Sequence, residues 1–329
     1  MSVRLGIIGY GIMGERLLRA AMAHDPARVG VAAVFDPSPA AQARLAADFP
    51  GIRVAGSTDA LIEASDCVYI ASPPASHLKL ARAALAAGKA VFCEKPLATD
   101  LDDARAFARE AADARFAVNF PFASSFAVAQ LRDWVDQGVV GTPQRVDIEI
   151  GFRQWPRPWQ HDAASWLDGP EEGGFTREVV SHFLFLTLRM LGDLRLADAR
   201  VSFPEPGRSE RAVSADLSLP GLPVALEGGV GITDKDDHNT WTLIGDKGTI
   251  RLRDWSFAER LDPATGDFVE APDAIPNEQA RPLVLARQLD KVAALTQGAS
   301  QDLATLHEAL TVQEHVEAIL ARGAAETET

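Results

Sequence analysis

The sequence predicts an α/β chain: a doubly wound parallel sheet at the N-terminus, then an α+β domain on a mainly antiparallel open sheet. Three observations carry this. From residue 1 to residue 120, short and continuously apolar runs alternate with amphipathic ones, as in parallel strands covered on both faces by helices. Beyond that point apolar and polar residues alternate singly, which suits half-exposed strands. The length, 329 residues, exceeds one ordinary core and suits two domains.

In order, Val3–Ile8 reads as a buried strand, Ile12–Ala23 as a helix and Val29–Phe35 as a second strand. Pro39–Asp48 is helical, with Pro39 tolerated in the first turn. A short strand Ile52–Ala55 and a short helix Asp59–Ala64 follow. Cys67–Ala71 is a strand, Ser76–Ala87 a helix stopped by Gly88, and Ala90–Cys93 a strand. Asp100 caps a helix over Leu101–Ala114, and Phe116–Asn119 is the last strand of this half. Phe126–Gln137 is then a helix closed by Gly138. In Arg145–Phe152, Val146, Ile148 and Ile150 face one way. Arg153–Gly174 is irregular and rich in Trp, Arg, Pro and Gly, and Arg177–Met190 is a helix. Alternating segments follow at Ala199–Phe203, Ala212–Leu219, Val224–Ile232, Thr240–Ile244 and Thr249–Asp254, with Gly245–Gly248 as a hairpin turn. Helices near Arg281–Thr296 and Asp302–Ala321 end the fold, and the tail Gly323–Thr329 is expected to fray.

Composition narrows the function classes. The chain is 47% hydrophobic and carries a net charge of −14. An acidic surface disfavours nucleic acid and anionic membrane as general partners, and no apolar stretch is long enough to cross a bilayer. Cys67 and Cys93 have neither CxxC nor zinc spacing, so they read as buried thiols of a reducing compartment and no metal is expected. The N-terminus runs straight into a strand and a glycine loop rather than a signal peptide, which suggests a cytoplasmic protein.

That loop, Gly9-Tyr10-Gly11-Ile12-Met13-Gly14, joins a strand to a helix. Its first glycine permits a tight turn, its second lets backbone approach a pyrophosphate, and its third lets helix and strand pack closely. The pyrophosphate would sit on the helix N-terminus, beside the backbone of Ile12 and Met13. Asp36, after the second strand, can hold ribose hydroxyls and would repel a 2′-phosphate. The first domain, 1–120, therefore reads as a Rossmann dinucleotide-binding domain for NAD, with Pro37-Ser38 and Arg44 leaving NADP open. Ser72-Pro73-Pro74 ends a strand, where ligands of doubly wound sheets bind.

Ser72-Pro73-Pro74-Ala75-Ser76-His77 and the Glu94-Lys95-Pro96 tripeptide, within Ala87–Leu97, resemble the Gfo/Idh/MocA oxidoreductases over nearly the whole chain. The resemblance implies a nicotinamide-dependent oxidoreductase. It places Lys95 at the reacting hydroxyl and the nicotinamide ribose, Glu94 and His77 in the cofactor site, and a cis bond at Lys95–Pro96. It also matches Glu178 and His182, after Gly173-Gly174, to a family Asp-x-x-x-His helix; glutamate here replaces the usual aspartate. Read from the residues, Glu178 and His182 are four apart on one helix face, where a carboxylate orients an imidazole. Lys95 and His182 are the expected acid–base pair and Glu178 the positioner.

Residues 121–329 are expected to form the substrate-binding and oligomerisation domain. Arg153, Trp155, Trp166 and Arg177, with Asn119, suit a polyhydroxylated or anionic small molecule; the Trp/Arg stretch would serve equally as a packed loop or an interface. The reaction expected is interconversion of a secondary alcohol and a ketone on a sugar, polyol or related cyclic compound. A dihydrodiol-like substrate, or a cofactor-sensing regulator without turnover, are the alternatives. The apolar row Val146, Ile148, Ile150 predicts a homodimer or homotetramer formed through the C-terminal sheet.

Overall fold

The computed structural model describes residues 2–326. The chain forms two compact units. One holds the residues up to Ser124 together with Pro282–Leu310, and the other holds Ser125–Arg281 together with the chain from Thr311. The return of Pro282–Leu310 to the first unit departs from an undivided second domain over 121–329.

The first unit is built on a five-stranded parallel sheet of β1 (Val3–Ile8), β2 (Val29–Phe35), β3 (Cys67–Ile70), β4 (Ala90–Cys93) and β5 (Phe116–Val118), in the order β2-β1-β3-β4-β5. The expected strand at Ile52–Ala55 is a single bridge, Val34 to Val54. The helices are α1 (Ile12–Ala23), α2 (Pro39–Asp48), α3 (Thr58–Ala64), α4 (His77–Ala86) and α5 (Leu101–Glu110). Their starts follow local chemistry: Ser38, Ser57 and Asp100 each accept backbone N–H groups from the first turn. Leu5, Ile7, Tyr69 and Phe92 of the sheet share one core with Leu17 and Leu18 of α1. The same core takes Leu285, Leu289 and Val292 from a later helix, α9 (Asn277–Thr296). Cys67 and Cys93 are free and buried. Burial pushes the Cys67 thiol up to about 12 and the Cys93 thiol well above its ordinary range, so neither is a nucleophile.

The second unit carries an eight-stranded sheet of β6 (Pro143–Phe152), β7 (Arg195–Ser202), β8 (Ala212–Leu219), β9 (Leu222–Val230), β10 (His238–Gly245), β11 (Thr249–Arg253), β12 (Phe257–Leu261) and β13 (Phe268–Glu270). The order is β13-β12-β11-β10-β6-β9-β8-β7, and every pairing is antiparallel except β6 with β9. The helices are α6 (Phe126–Asp136), the short α7 (Ala164–Leu167), α8 (Ser181–Leu191) and the C-terminal part of α10 (Leu306–Glu326). α10 thus continues into the segment expected to fray, and residues 327–329 lie outside the described residues. Trp241 of β10 donates its indole N–H to Thr187 of α8 at 2.9 Å, which seats that helix on the sheet. Val146, Ile148 and Ile150 are 0%, 1% and 1% exposed within the single chain. The expectation that a second copy covers this row is therefore corrected: the apolar face is already buried, and the outward positions of β6 are Arg145, Asp147 and Glu149.

Candidate active site

The cofactor half of the site lies where strand order reverses, because β1 has β2 on one side and β3 on the other. Ligands of doubly wound sheets bind at the carboxyl ends of strands beside such a switch point. Here the chain leaves β1 through Gly9, and three glycines do three different things. Gly9 has φ +98°, and a Cβ on it would lie 2.5 Å from the Ala71 carbonyl oxygen at the end of β3. A Cβ on Gly14 would lie 1.9 Å from the Gly9 carbonyl oxygen. Gly11 is exposed, has an ordinary backbone conformation, and its Cβ would meet nothing within 4 Å. No contact inside the protein demands a glycine at 11, so the demand comes from a partner that needs bare backbone there. Gly11 also precedes α1 without any side-chain cap, leaving the free N–H groups at Ile12 and Met13 that favour an anion. The loop therefore fits the pyrophosphate of a dinucleotide.

Asp36 at the end of β2 is fixed by two backbone donors, Tyr10 N–H and Ser38 N–H, both at 2.8 Å. Each of its oxygens keeps a further lone pair for a ribose hydroxyl. Arg44 lies nearby, but its guanidinium donates to the Tyr10 carbonyl, pairs with Glu15 at 3.3 Å and stacks on the Tyr10 ring at 4.7 Å. Burial and the Glu15 carboxylate push the Tyr10 hydroxyl up to about 12, so it stays protonated.

At the end of β3, Ser72 and Ser76 hydroxyls are 2.6 Å apart, and Pro73 is exposed. His77 is buried beneath them. Its Nε2 lies 2.8 Å from the Ser72 carbonyl and its Nδ1 2.8 Å from the Pro96 carbonyl. The ring thus staples the segment after β3 to the segment after β4, which gives His77 a structural role beneath the cofactor site. Lys95–Pro96 is cis, and Lys95 is partly exposed at the head of β4.

Glu94, one residue earlier, is 8% exposed. Its Oε1 accepts from the Tyr69 hydroxyl and from Asn119 Nδ2 at 2.6 Å, and Asn119 Oδ1 accepts from Gln288 of α9 at 2.6 Å. Burial, and after it the Glu94 carboxylate, raises the Tyr69 hydroxyl well above its ordinary range, so it remains a donor. Asn119, expected at the substrate, is 1% exposed and belongs to this buried chain. Tyr69 and Gln288 escape a reading of the sequence. Tyr69 looks like one more apolar strand residue, and Gln288 comes 169 positions after its partner. Replacing Asn119 by leucine is expected to leave Gln288 Nε2 unpaired and one donor to Glu94 missing. The expected loss is about 1–3 kcal/mol of stability, read by denaturant titration; an unchanged midpoint would remove the network from the account.

In the second unit, Glu178 and His182 sit at the start of one continuous helical run. Thr176–Val180 is a π-turn and α8 continues from Ser181. The glycine pair before it is explained by crowding. A Cβ on Gly173 would lie 2.2 Å from the Leu167 carbonyl oxygen, and one on Gly174 2.2 Å from Glu210 Oε2. Glu210, 1% exposed, accepts from Thr176 N–H at 2.6 Å and anchors the turn. His182 is 7% exposed, its ring edge-on to Trp255 with centroids 5.4 Å apart; Glu178 is half-buried.

The expected substrate residues divide. Arg177 pairs with Glu317 of α10 through Nε and Nη2 at 2.8 Å, and its Nη1 donates to the Pro170 and Gly173 carbonyls. Trp155 is buried against Phe152 and Phe175 and donates to the Leu167 carbonyl. Both hold the Arg153–Gly174 segment in place. Trp166 is half-buried, and Arg153 pairs with Asp236 at the surface. Among the described residues no cluster suits a metal ion, and no helix is long and apolar enough to cross a membrane.

Comparison with known proteins agrees with this geometry. Residues 3–120 match the profile of the oxidoreductase family with an NAD-binding Rossmann fold, and residues 128–251 match the GFO/IDH/MocA C-terminal domain. The chain is 31% identical over 273 residues to inositol 2-dehydrogenase of Cereibacter sphaeroides, covering 77% of this chain and 74% of that one. It is 28% identical over 229 residues to galactose 1-dehydrogenase of Pseudomonas fluorescens, covering 67% and 68%. The solved structure of levoglucosan dehydrogenase with NADH superposes with a TM-score of 0.85 at 18% identity, covering 99% of this chain and 98% of that one, a likeness of fold alone. With both halves matched and the strand ends arranged as above, this chain belongs to the Gfo/Idh/MocA family of oxidoreductases.

Proposed function

We propose that the protein is an NAD-dependent dehydrogenase that interconverts a secondary alcohol and a ketone on a cyclic polyol or sugar. The observation that carries it is the set of groups on the ends of β1, β2 and β4: open backbone at Gly11, the fixed carboxylate of Asp36, and Lys95. Gly9, Gly11, Gly14 and the N–H groups of Ile12 and Met13 would hold the pyrophosphate, and Asp36 the adenosine ribose. Ser72, Pro73 and Glu94 would line the nicotinamide end. When bound, NAD supplies the acceptor for the hydride that leaves the carbinol carbon.

The chain's own residues then handle the proton. In oxidation the hydroxyl proton passes to a base as the carbonyl forms; in reduction the same group returns it. Lys95 takes this role, with His182 as the second acid–base group and Glu178 orienting it. Support comes from the fixing of the Lys95 backbone on both sides, by the Glu94 network before it and the His77 staple after it. Relatives are named inositol 2-dehydrogenase and galactose 1-dehydrogenase, which favours a cyclic polyol or sugar as the substrate class here. Two unpaired buried cysteines support a reducing, cytoplasmic setting. Assembly into a homodimer or homotetramer belongs to the same proposal, now through the polar face of the eight-stranded sheet, where Glu149 and Asp216 are exposed.

The test is reduction of NAD and NADP by the purified protein with myo-inositol, galactose, levoglucosan, sugar acids and cyclic diols. Turnover with NAD is expected. NADP should be worse by about a hundredfold in kcat/KM, because the Asp36 carboxylate would repel a 2′-phosphate. If neither cofactor is reduced with any of these, and NADH is not oxidised by the matching ketones, the proposal fails.

A further inference from the structure

Asn239 of β10 shares the inner face of the sheet with Trp241 and Leu243. That face lies under α8, the helix that opens with Ser181 and His182, since Trp241 bonds to Thr187. Asn239 is 0% exposed, and among the described residues neither its Oδ1 nor its Nδ2 has a hydrogen-bond partner. A buried amide with both ends unsatisfied is costly, and a leucine of nearly the same shape would remove the cost. The amide calls for a polar partner from outside the protein, and a substrate hydroxyl can supply it.

A second observation lies next to it. Asp254 and Trp255, which follow β11, have φ of 45° and 73° and are the non-glycine residues with positive φ among those described. For a bulky side chain such as tryptophan this conformation is strained, and strain of this kind gathers at functional sites. The turn is held against Asn239 itself: Asp254 N–H donates to the Asn239 carbonyl at 2.8 Å, and Asn239 N–H donates to Asp254 Oδ1 at 3.2 Å. His238 Nδ1, 2.8 Å from the same Oδ1, and Lys235 Nζ, 3.7 Å from Oδ2, hold that carboxylate from the other side. Trp255 then packs its ring on His182, with centroids 5.4 Å apart, and on Phe183, at 5.5 Å. One strained turn therefore connects the unsatisfied amide to the imidazole of the proposed acid–base group.

We propose that Asn239 recognises the substrate and that Trp255 is the movable cover over it. When the Asp254–Trp255 turn relaxes, the Asn239 amide is uncovered on the His182 side. Nδ2 donates to one hydroxyl oxygen and Oδ1 accepts from the next, a pairing that fits two neighbouring hydroxyls of a polyol ring. The inference rests on the polyol dehydrogenase reading and names the part of the substrate that the second unit reads.

The test compares wild type, Asn239→Leu and Trp255→Gly; glycine suits the positive φ and removes the ring. Three readouts are taken: melting temperature, NADH affinity by fluorescence, and NAD-dependent kinetics with myo-inositol, galactose and levoglucosan. For Asn239→Leu the melting temperature is expected to equal or exceed wild type and NADH affinity to be unchanged. Its kcat/KM for the best substrate should fall by about tenfold or more, mostly through KM. Trp255→Gly should change the relative kcat/KM among the three substrates by about tenfold. If wild type turns over and both variants keep its kcat/KM values and ranking, Asn239 and Trp255 have no part in recognition and the dehydrogenase reading stands alone. If Asn239→Leu does not fold, Trp255→Gly decides: a changed ranking supports the proposal and an unchanged one overturns it. If wild type turns over none of the three, the same kinetics are run on whichever compound of the wider panel it does turn over; if it turns over none of that panel in either direction, the reading beneath fails and this inference falls with it.

Discussion

Replacing Lys95 by alanine is expected to lower kcat by on the order of 10³-fold, about 4 kcal/mol of transition-state stabilisation, while NADH affinity changes by no more than about tenfold. The asymmetry follows from where the lysine stands. In the proposed site, dinucleotide affinity would draw on the glycine loop, the N-terminus of α1 and Asp36, none of which the substitution touches. The proton of the carbinol has fewer takers. Lys95 follows Glu94, which is locked by Tyr69 and Asn119, and precedes Pro96, whose carbonyl is held by His77. With the backbone held on both sides, the Lys95 side chain starts from a fixed point at the head of β4. The check is single-turnover and steady-state kinetics with the best polyol substrate, together with rescue by added methylamine. A loss of kcat that small amines partly restore identifies a missing proton acceptor. A rise in the KM for NAD with kcat retained would make Lys95 a cofactor ligand only, and the proton would have to go elsewhere.

Much of the fold and part of the site can be read in the sequence, and the boundary between legible and illegible is physical. Gly9-Tyr10-Gly11-Ile12-Met13-Gly14 is legible because its constraints are local: a turn, a helix start and a close approach within a few residues. The strands β1 to β5 are legible because burial on both faces makes them continuously apolar. β12 and β13 are not, since Phe257–Leu261 carries Glu259 and Arg260, and Phe268–Glu270 is three residues long. Glu259 instead accepts from Arg251 and Arg253, cross-strand pairs that no periodicity announces. The return of Pro282–Leu310 to the first unit is hidden for a related reason. An apolar helix face says that it is buried but not what buries it, and Leu289 and Val292 would read the same in either unit. Val146, Ile148 and Ile150 carry the same ambiguity, resolved here by their burial within the single chain. Residues that work through long-range partners, such as Asn119 with Gln288 or Glu210 with Thr176, come together only in the folded chain.

The glycine loop yields the second large effect, and it separates two roles that the motif merges. Gly14→Ala is expected to destabilise the protein by about 1–3 kcal/mol or more. Its new methyl would lie 1.9 Å from the carbonyl oxygen of Gly9 and 2.9 Å from the carbonyl carbon, and backbone on both sides leaves no flexible side chain to give way. Gly11→Ala is expected to do the reverse. Residue 11 has φ −83° and ψ −164°, a conformation open to alanine, and beyond its own chain neighbours nothing lies within 4 Å of the new methyl. Its stability should stay within about 0.5 kcal/mol of wild type. Its affinity for NAD should fall by about a hundredfold, about 3 kcal/mol, because the methyl occupies the ground that the pyrophosphate needs. Thermal melting and NADH fluorescence titration on the two variants read both quantities. Should Gly11→Ala bind NADH like wild type, the bare backbone at position 11 is not a ligand surface, and the cofactor would have to be held by Asp36 and the ends of β3 and β4 alone. Should Gly14→Ala melt like wild type, the contact between the first turn of α1 and Gly9 must relax more freely than two facing backbones allow.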